Sequence, residues 1–133
     1  MSAENVERME RAFDAFFRRD KAAWLELCDP QIEIVPVGDW PETDAIRGGE
    51  AAWNFLVATD EPWERGPYEL LEVIDGEDKV VARQRRQMRG KSSGVEVEYD
   101  YWVVLTYRAG KALRVEWFAD RETALAATGI SAT

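Results

Sequence analysis

The stretch Val80-Val81-Ala82-Arg83-Gln84-Arg85-Arg86-Gln87-Met88-Arg89 begins as an apolar strand and ends with polar groups at both odd and even positions. Strand side chains alternate between two faces with period two. One of the two polar sets, Gln84 with Arg86 or Arg83 with Arg85, therefore points into whatever the sheet covers. The flanking segments decide what kind of sheet that is. YELLEVI (68–74) precedes it across DGED, VEVEYDYWVVLTYR (95–108) follows across GKSSG, and KALRVEWFA (111–119) closes the set after AG. Strands in a row joined by tight turns predict an antiparallel meander.

Upstream the period changes. Val6, Met9, Phe13 and Phe16 recur at three- and four-residue steps and predict an amphipathic helix over 3–18. Asp20 reads as the N-cap of a short helix, KAAWLELC, stopped by Pro30. QIEIVPV reads as a strand, GDWPETDAIRGG as a loop, EAAWNFLVA as a third helix and TDEPWERGP as a second loop. Downstream, Asp120 caps RETALAA, which Gly129 ends. Helices first and a meander after predict one α+β domain over 1–133, with the helices on one face of a curved sheet. The space between them is either filled by side chains or left as a pocket.

Composition narrows the function classes. The length of 133 residues suffices for one self-sufficient core. A net charge of −9 argues against nucleic acid and anionic membranes as partners. No apolar run reaches the roughly 20 residues of a membrane span. MSAENVERMER has no apolar signal core and Cys28 stands alone, so a cytoplasmic location is expected. Histidine is absent, which removes the usual neutral-pH base and every Ser-His or Cys-His arrangement. No Asp/Glu cluster has metal-ligand spacing, and no metal or cofactor is expected. Chemistry is left to carboxylates, tyrosines, lysines and Cys28, the last read as a small buried residue on the second helix.

Three stretches together carry a resemblance: AFDAFFRRD with the following DPQIEIVPVGDWP, AIRGGEAAWNFL, and YRAGKALRVEWFADRETALAATGI. The set resembles the SnoaL-like (polyketide cyclase-like) branch of the nuclear transport factor 2-like superfamily. The resemblance implies a cone-shaped curved antiparallel sheet packed on three to four helices, with catalytic groups on the concave side. Matched registers place Ile32, Ile34, Gln84, Arg86, Val103 and Trp117 there, joined by parity by Ala82, Met88, Tyr99, Tyr101, Leu105, Val115 and Ala119. Arg83, Arg85, Asp100, Trp102, Val104, Glu116 and Phe118 then face outward, where Asp100 and Glu116 stand ready to pair with the two arginines.

The same resemblance exposes missing chemistry. The positions matching a ketosteroid isomerase base and its oxyanion donors are Val35 or Ile34, Ala12 and Val103. The cyclase and epoxide-hydrolase aspartate of the last strand is Trp117, and the hydrolase Arg-Asp pair of the middle strand is Gln84 and Arg86. None supplies a carboxylate base.

Two readings follow. In the first, an apolar pocket binds a small, partly hydrophobic anion through Arg86, with Gln84, Tyr99, Tyr101, Trp117, Ile34, Trp40 and Trp63 around it. Trp40 and Trp63 would stand on the two loops at the mouth, while Trp24 and Trp53 pack helices. Arg86 would otherwise be a structural ion pair with an acid such as Glu33 or Asp39. In the second reading an isomerase, cyclase or hydrolase uses Asp39, Asp44 or Glu61 as base, with Tyr99 or Tyr101 as acid or oxyanion donor. Trp102, Val104 and Phe118 would form an outer apolar patch, for which a homodimer is the simplest partner.

Overall fold

The computed structural model describes residues 2–36 and 45–129. Ten elements follow in order: helix α1 (Ser2–Phe17), helix α2 (Lys21–Glu26), strand β1 (Cys28–Val35), the two-residue strand β2 (Ile46–Arg47), helix α3 (Gly49–Asp60), strands β3 (Trp63–Gly76), β4 (Lys79–Gly90), β5 (Glu96–Arg108) and β6 (Lys111–Phe118), and helix α4 (Arg121–Thr128). They form one six-stranded sheet in the order β2-β1-β6-β5-β4-β3. β3 to β6 are the expected meander. β1 joins it parallel to β6, so the sheet is mixed rather than wholly antiparallel. A parallel neighbour needs a long crossover, and β2, α3 and the meander supply it.

Local chemistry explains the element ends. Asp20 accepts from the backbone N–H of Ala23 at the start of α2, and Asp120 does the same for Thr123 at α4. Gly129 ends α4 in the left-handed conformation, φ 74°. The short second helix ends earlier than its sequence suggests, because Cys28 and Pro30 already belong to β1. Pro30 falls where the β1–β6 register shifts, between Cys28 and Glu33, and before β2 pairs at Glu33, so its missing N–H costs no regular ladder bond. TDEPWERGP is likewise not a loop throughout: β3 begins at Trp63 and absorbs Gly66-Pro67 in a bulge between Arg65 and Tyr68. Gly66 fits because a Cβ there would lie 2.4 Å from the Gln87 carbonyl oxygen.

The two sheet faces are covered separately. Met9, Ala12 and Ala15 of α1, Trp24 of α2 and Trp53 of α3 pack on Ile32, Ile34, Val80, Ala82, Val103 and Leu105. On the opposite face Val81, Trp102 and Val104 lie beneath Ala124 and Leu125 of α4, with Phe118 alongside. Trp102 and Val104 are therefore buried, at 6% and 1% exposure, and do not form a free apolar patch. The C-terminal helix, capped by Asp120 and held by an Arg121–Glu72 ion pair at 3.1 Å, covers them. Arg83 and Arg85 also face outward. Arg83 forks onto Asp100 at 2.9 and 2.7 Å, whereas Glu116 pairs with Arg114 of its own strand.

Candidate functional site

Between the helices and the inner sheet face lies a cavity of about 540 Å³. Ala12, Phe13, Phe16 and Phe17 of α1, Trp24 of α2, and Phe55 and Leu56 of α3 form its helical wall. Gln84, Arg86, Met88, Tyr99, Tyr101, Leu105, Val115 and Trp117 form its sheet wall, as strand parity requires. Cross-strand register sets Gln84 beside Tyr101 and Arg86 between Tyr68 and Tyr99. Tyr99 and Tyr101 stack with centroids 5.5 Å apart, and Trp63 meets Tyr99 edge-on at 6.1 Å.

Arg86 is held by an acid that sequence reasoning did not weigh. Its Nη2 donates to Asp60 Oδ1 at 2.8 Å, and Arg19 Nη2 donates to Oδ2 of the same carboxylate at 2.7 Å. Glu33 instead pairs with Arg47. The Asp60 side chain is only 3% exposed, those of Arg86 and Arg19 18% and 30%. Each guanidinium also lies over a ring of α1, Arg19 over Phe16 at 4.5 Å and Arg86 over Phe17 at 4.9 Å. Burial alone would raise the Asp60 pKa, but the hydrogen bonds from Arg19 and Arg86 and their charges outweigh it and hold the carboxyl below its ordinary range. Asp60 is therefore a fixed anion and a weak proton acceptor.

Other expected residues fall differently. Ile34 is fully buried and is not on the cavity wall. Trp63 lines the cavity, but from the first residue of β3. Trp40, Asp39 and Asp44 lie outside the described residues. Glu61 is exposed and off the wall. Cys28 reaches the wall from β1, where burial pushes its thiol up to about 12 despite the opposing pull of Lys111. It is a neutral thiol near pH 7, not a nucleophile. Among the described residues no three His, Cys, Asp or Glu side chains group to hold a metal ion, and no helix is long and apolar enough to cross a membrane.

Arg19, Asp60 and Phe17 went unnoticed, although a signal for them exists. Asp60 is the last residue of α3, where the helix dipole disfavours an anion. A carboxylate there calls for cations nearby. Arg18 and Arg19 stand at the C-terminal end of α1, where cations are favoured.

Comparison with solved structures agrees with this architecture. A nuclear transport factor 2-like protein from Burkholderia xenovorans LB400 is 26% identical, with a TM-score of 0.79 over 96% of this chain and 98% of that one. TerC, co-crystallised with polyporic acid, is 25% identical, with a TM-score of 0.71 over 88% and 92%. A SnoaL-like polyketide cyclase candidate from Jannaschia sp. CCS1 is 22% identical, with a TM-score of 0.78 over 100% and 95%. No curated protein matches. The profile of the SnoaL-like domain matches residues 9–115. With the helices, the mixed sheet and the cavity in their places, the chain belongs to the SnoaL-like domain family.

Proposed function

We propose that the chain binds a flat, aromatic acid in this cavity, its rings among Phe17, Tyr99, Tyr101, Trp63 and Trp117 and its acidic oxygens at Arg86. The observation that carries this reading is Arg86 itself: a largely buried cation on a mostly aromatic and apolar wall, tied to Asp60 through Nη2. Two guanidiniums converge on that one carboxylate, and an incoming anion adds negative charge beside them. The cavity volume suits a small organic ligand. Gln84 would orient the ligand through its amide. Polyporic acid, the ligand of the TerC crystals, is of the same chemical kind, aromatic and acidic.

A proton-transfer enzyme has one observation in its favour, the presence of Asp60 on the cavity wall. Its two arginine hydrogen bonds make it a poor base, so binding is the reading adopted. A second copy docking on the convex face would meet Phe118 and the Arg83–Asp100 pair rather than Trp102 and Val104. Light scattering at micromolar concentration distinguishes one copy from two.

The test of binding is a thermal-shift series of aromatic carboxylates and sulfonates against neutral isosteres, on wild type and Arg86→Met. A ligand at a hundred times its Kd adds about 2.7 kcal/mol, worth several degrees. Acid-selective stabilisation that disappears in Arg86→Met supports the proposal. Equal shifts with acids and amides overturn it.

A further inference from the structure

The cavity changes character along its length, and the strand registers order the change. At one end β4 and β5 set Arg86 opposite Tyr99 and Gln84 opposite Tyr101. Further along β5, Val103 stands opposite Trp117, Leu105 opposite Val115, and Tyr107 opposite Ala112. Ala112 is also the parallel partner of Cys28. From Tyr99 to Tyr107 this is roughly 26 Å of strand, at about 3.3 Å per residue. Helix α1 follows the same path. Phe17 at its end lies over Arg86, whereas Arg8 near its start lies against Gly110, in the turn joining β5 to β6. Ala12 reaches the cavity wall between them. Among the described residues, the only charged side chains on that wall are Asp60 and Arg86, paired with each other. The far end is made by Ala12, Ile32, Leu105, Ala112 and Val115, with Trp24 and the neutral thiol of Cys28.

We infer that the ligand is an amphiphile: an aromatic acid whose acidic oxygens and ring lie at Arg86, and whose alkyl tail runs down the cavity to a floor at Ala12, Cys28 and Ala112. The inference rests on the proposed binding of an aromatic acid at Arg86 and adds the tail. Volume demands more than a head group. An apolar void of about 150 Å³ already holds a benzene. One ring and a carboxylate therefore leave more than half of the 540 Å³ unfilled. Polarity sets the chemistry of the remainder, because a floor without a charged side chain gives a second ionic group no partner. Shape favours a flexible chain over further fused rings. The β5–β6 register shifts between Thr106 and Tyr107, and the β1–β6 register between Cys28 and Glu33. Such irregularities bend strands, and both fall at the floor, so the lower layers are out of line with the upper ones. An alkyl chain follows that bend by rotating its bonds; a rigid rod cannot.

The test is a calorimetric titration of para-ethyl-, para-butyl- and para-hexylbenzoate, with para-hexylbenzamide and the rigid para-phenylbenzoate as controls. Each is titrated into wild type, Arg86→Met and Ala12→Leu. In wild type the affinity is expected to rise about threefold for each added methylene, with para-phenylbenzoate weaker than the hexyl acid of equal carbon count. Ala12→Leu fills the floor and should shrink the hexyl-over-ethyl ratio about tenfold. Ala112→Val takes its place should that variant not fold. A ratio near one in wild type overturns the inference, as does a ratio that the floor variant leaves unchanged. Para-phenylbenzoate binding as tightly as para-hexylbenzoate also overturns it. If the hexyl amide binds as well as the hexyl acid, or Arg86→Met spares the acid, the reading of Arg86 falls while the ratio still reports on the floor. If none of the compounds binds, both fall.

Discussion

Two arginines three residues apart on β4 have opposite histories. Arg83 faces outward and meets Asp100 on the neighbouring strand, with both partners about one-third exposed. Arg86 faces inward and meets Asp60 from the end of α3, with both partners largely buried. The Arg83 hydrogen bond is the leading reason Asp100 has a lowered pKa, with burial opposing it less. At Asp60 burial is the larger single influence, and the pull of two arginines is needed to overcome it. The same two residue types thus serve a solvated ladder on one face and a desolvated cluster on the other. Desolvation sets the strength of each pair and determines which can matter to a ligand.

That comparison can be broken or sharpened at several places. The largest expected effect is apolar. Trp102→Ala empties a packed site beneath α4 and should cost about 3–5 kcal/mol in urea unfolding. Trp117→Ala, on the wall of an existing cavity, should cost clearly less, and equal costs would mean that the cavity is filled in solution. Next come the ion pairs. Asp60→Ala leaves two guanidiniums converging on an empty site and should cost about 3 kcal/mol, while Asp100→Ala should cost less than about 1 kcal/mol. A reversal of that order would remove the distinction between the faces.

The acid limb of stability should follow the same division. A carboxyl whose folded pKa lies below its unfolded value of about 3.9 stabilises the fold fully above that value. It loses the contribution as pH falls through the lower folded pKa, because the unfolded chain binds the proton first. Asp60 and Asp100 share this sign. High salt should weaken the Asp100 part and spare most of the Asp60 part, so in 1 M NaCl the remaining slope should be reduced by Asp60→Asn and unaffected by Asp100→Asn. A small effect is also expected at the cap of α4. Asp120→Ala should cost about 1 kcal/mol and loosen the cover over Trp102, read as a red shift of tryptophan emission.

The outward pairs were legible because they are local: strand parity groups Arg83 with Arg85 and Gln84 with Arg86, and register brings Asp100 beside the first two. Parity alone left open which set faces inward; the family resemblance assigned Gln84 and Arg86 to the concave side. The partner of Arg86 was not legible, because no period links residue 60 on a helix end to residue 86 on a strand. Only the packing of α3 against the sheet joins them. Cys28 and Pro30 were misplaced for a related reason, since the register shift that accommodates Pro30 is a property of the assembled sheet. The outer apolar residues were assigned to the correct face, but the sequence pattern did not reveal that α4 folds back onto them. Their cover comes from the same chain, which removes the evidence for a partner there.

The parallel pairing of β1 with β6 has a consequence for synthesis. Ile34 lies beside Val115, roughly 80 residues later in the chain. At about 5–20 residues per second, β1 leaves the ribosome some 4–16 s before its inner neighbour exists. During that interval an apolar strand with Ile32 and Ile34 is sheltered only by the nearby helices. Chaperone dependence and aggregation of nascent chains should therefore respond to changes in β1 more than to changes in the meander, whose strands follow one another within a few seconds.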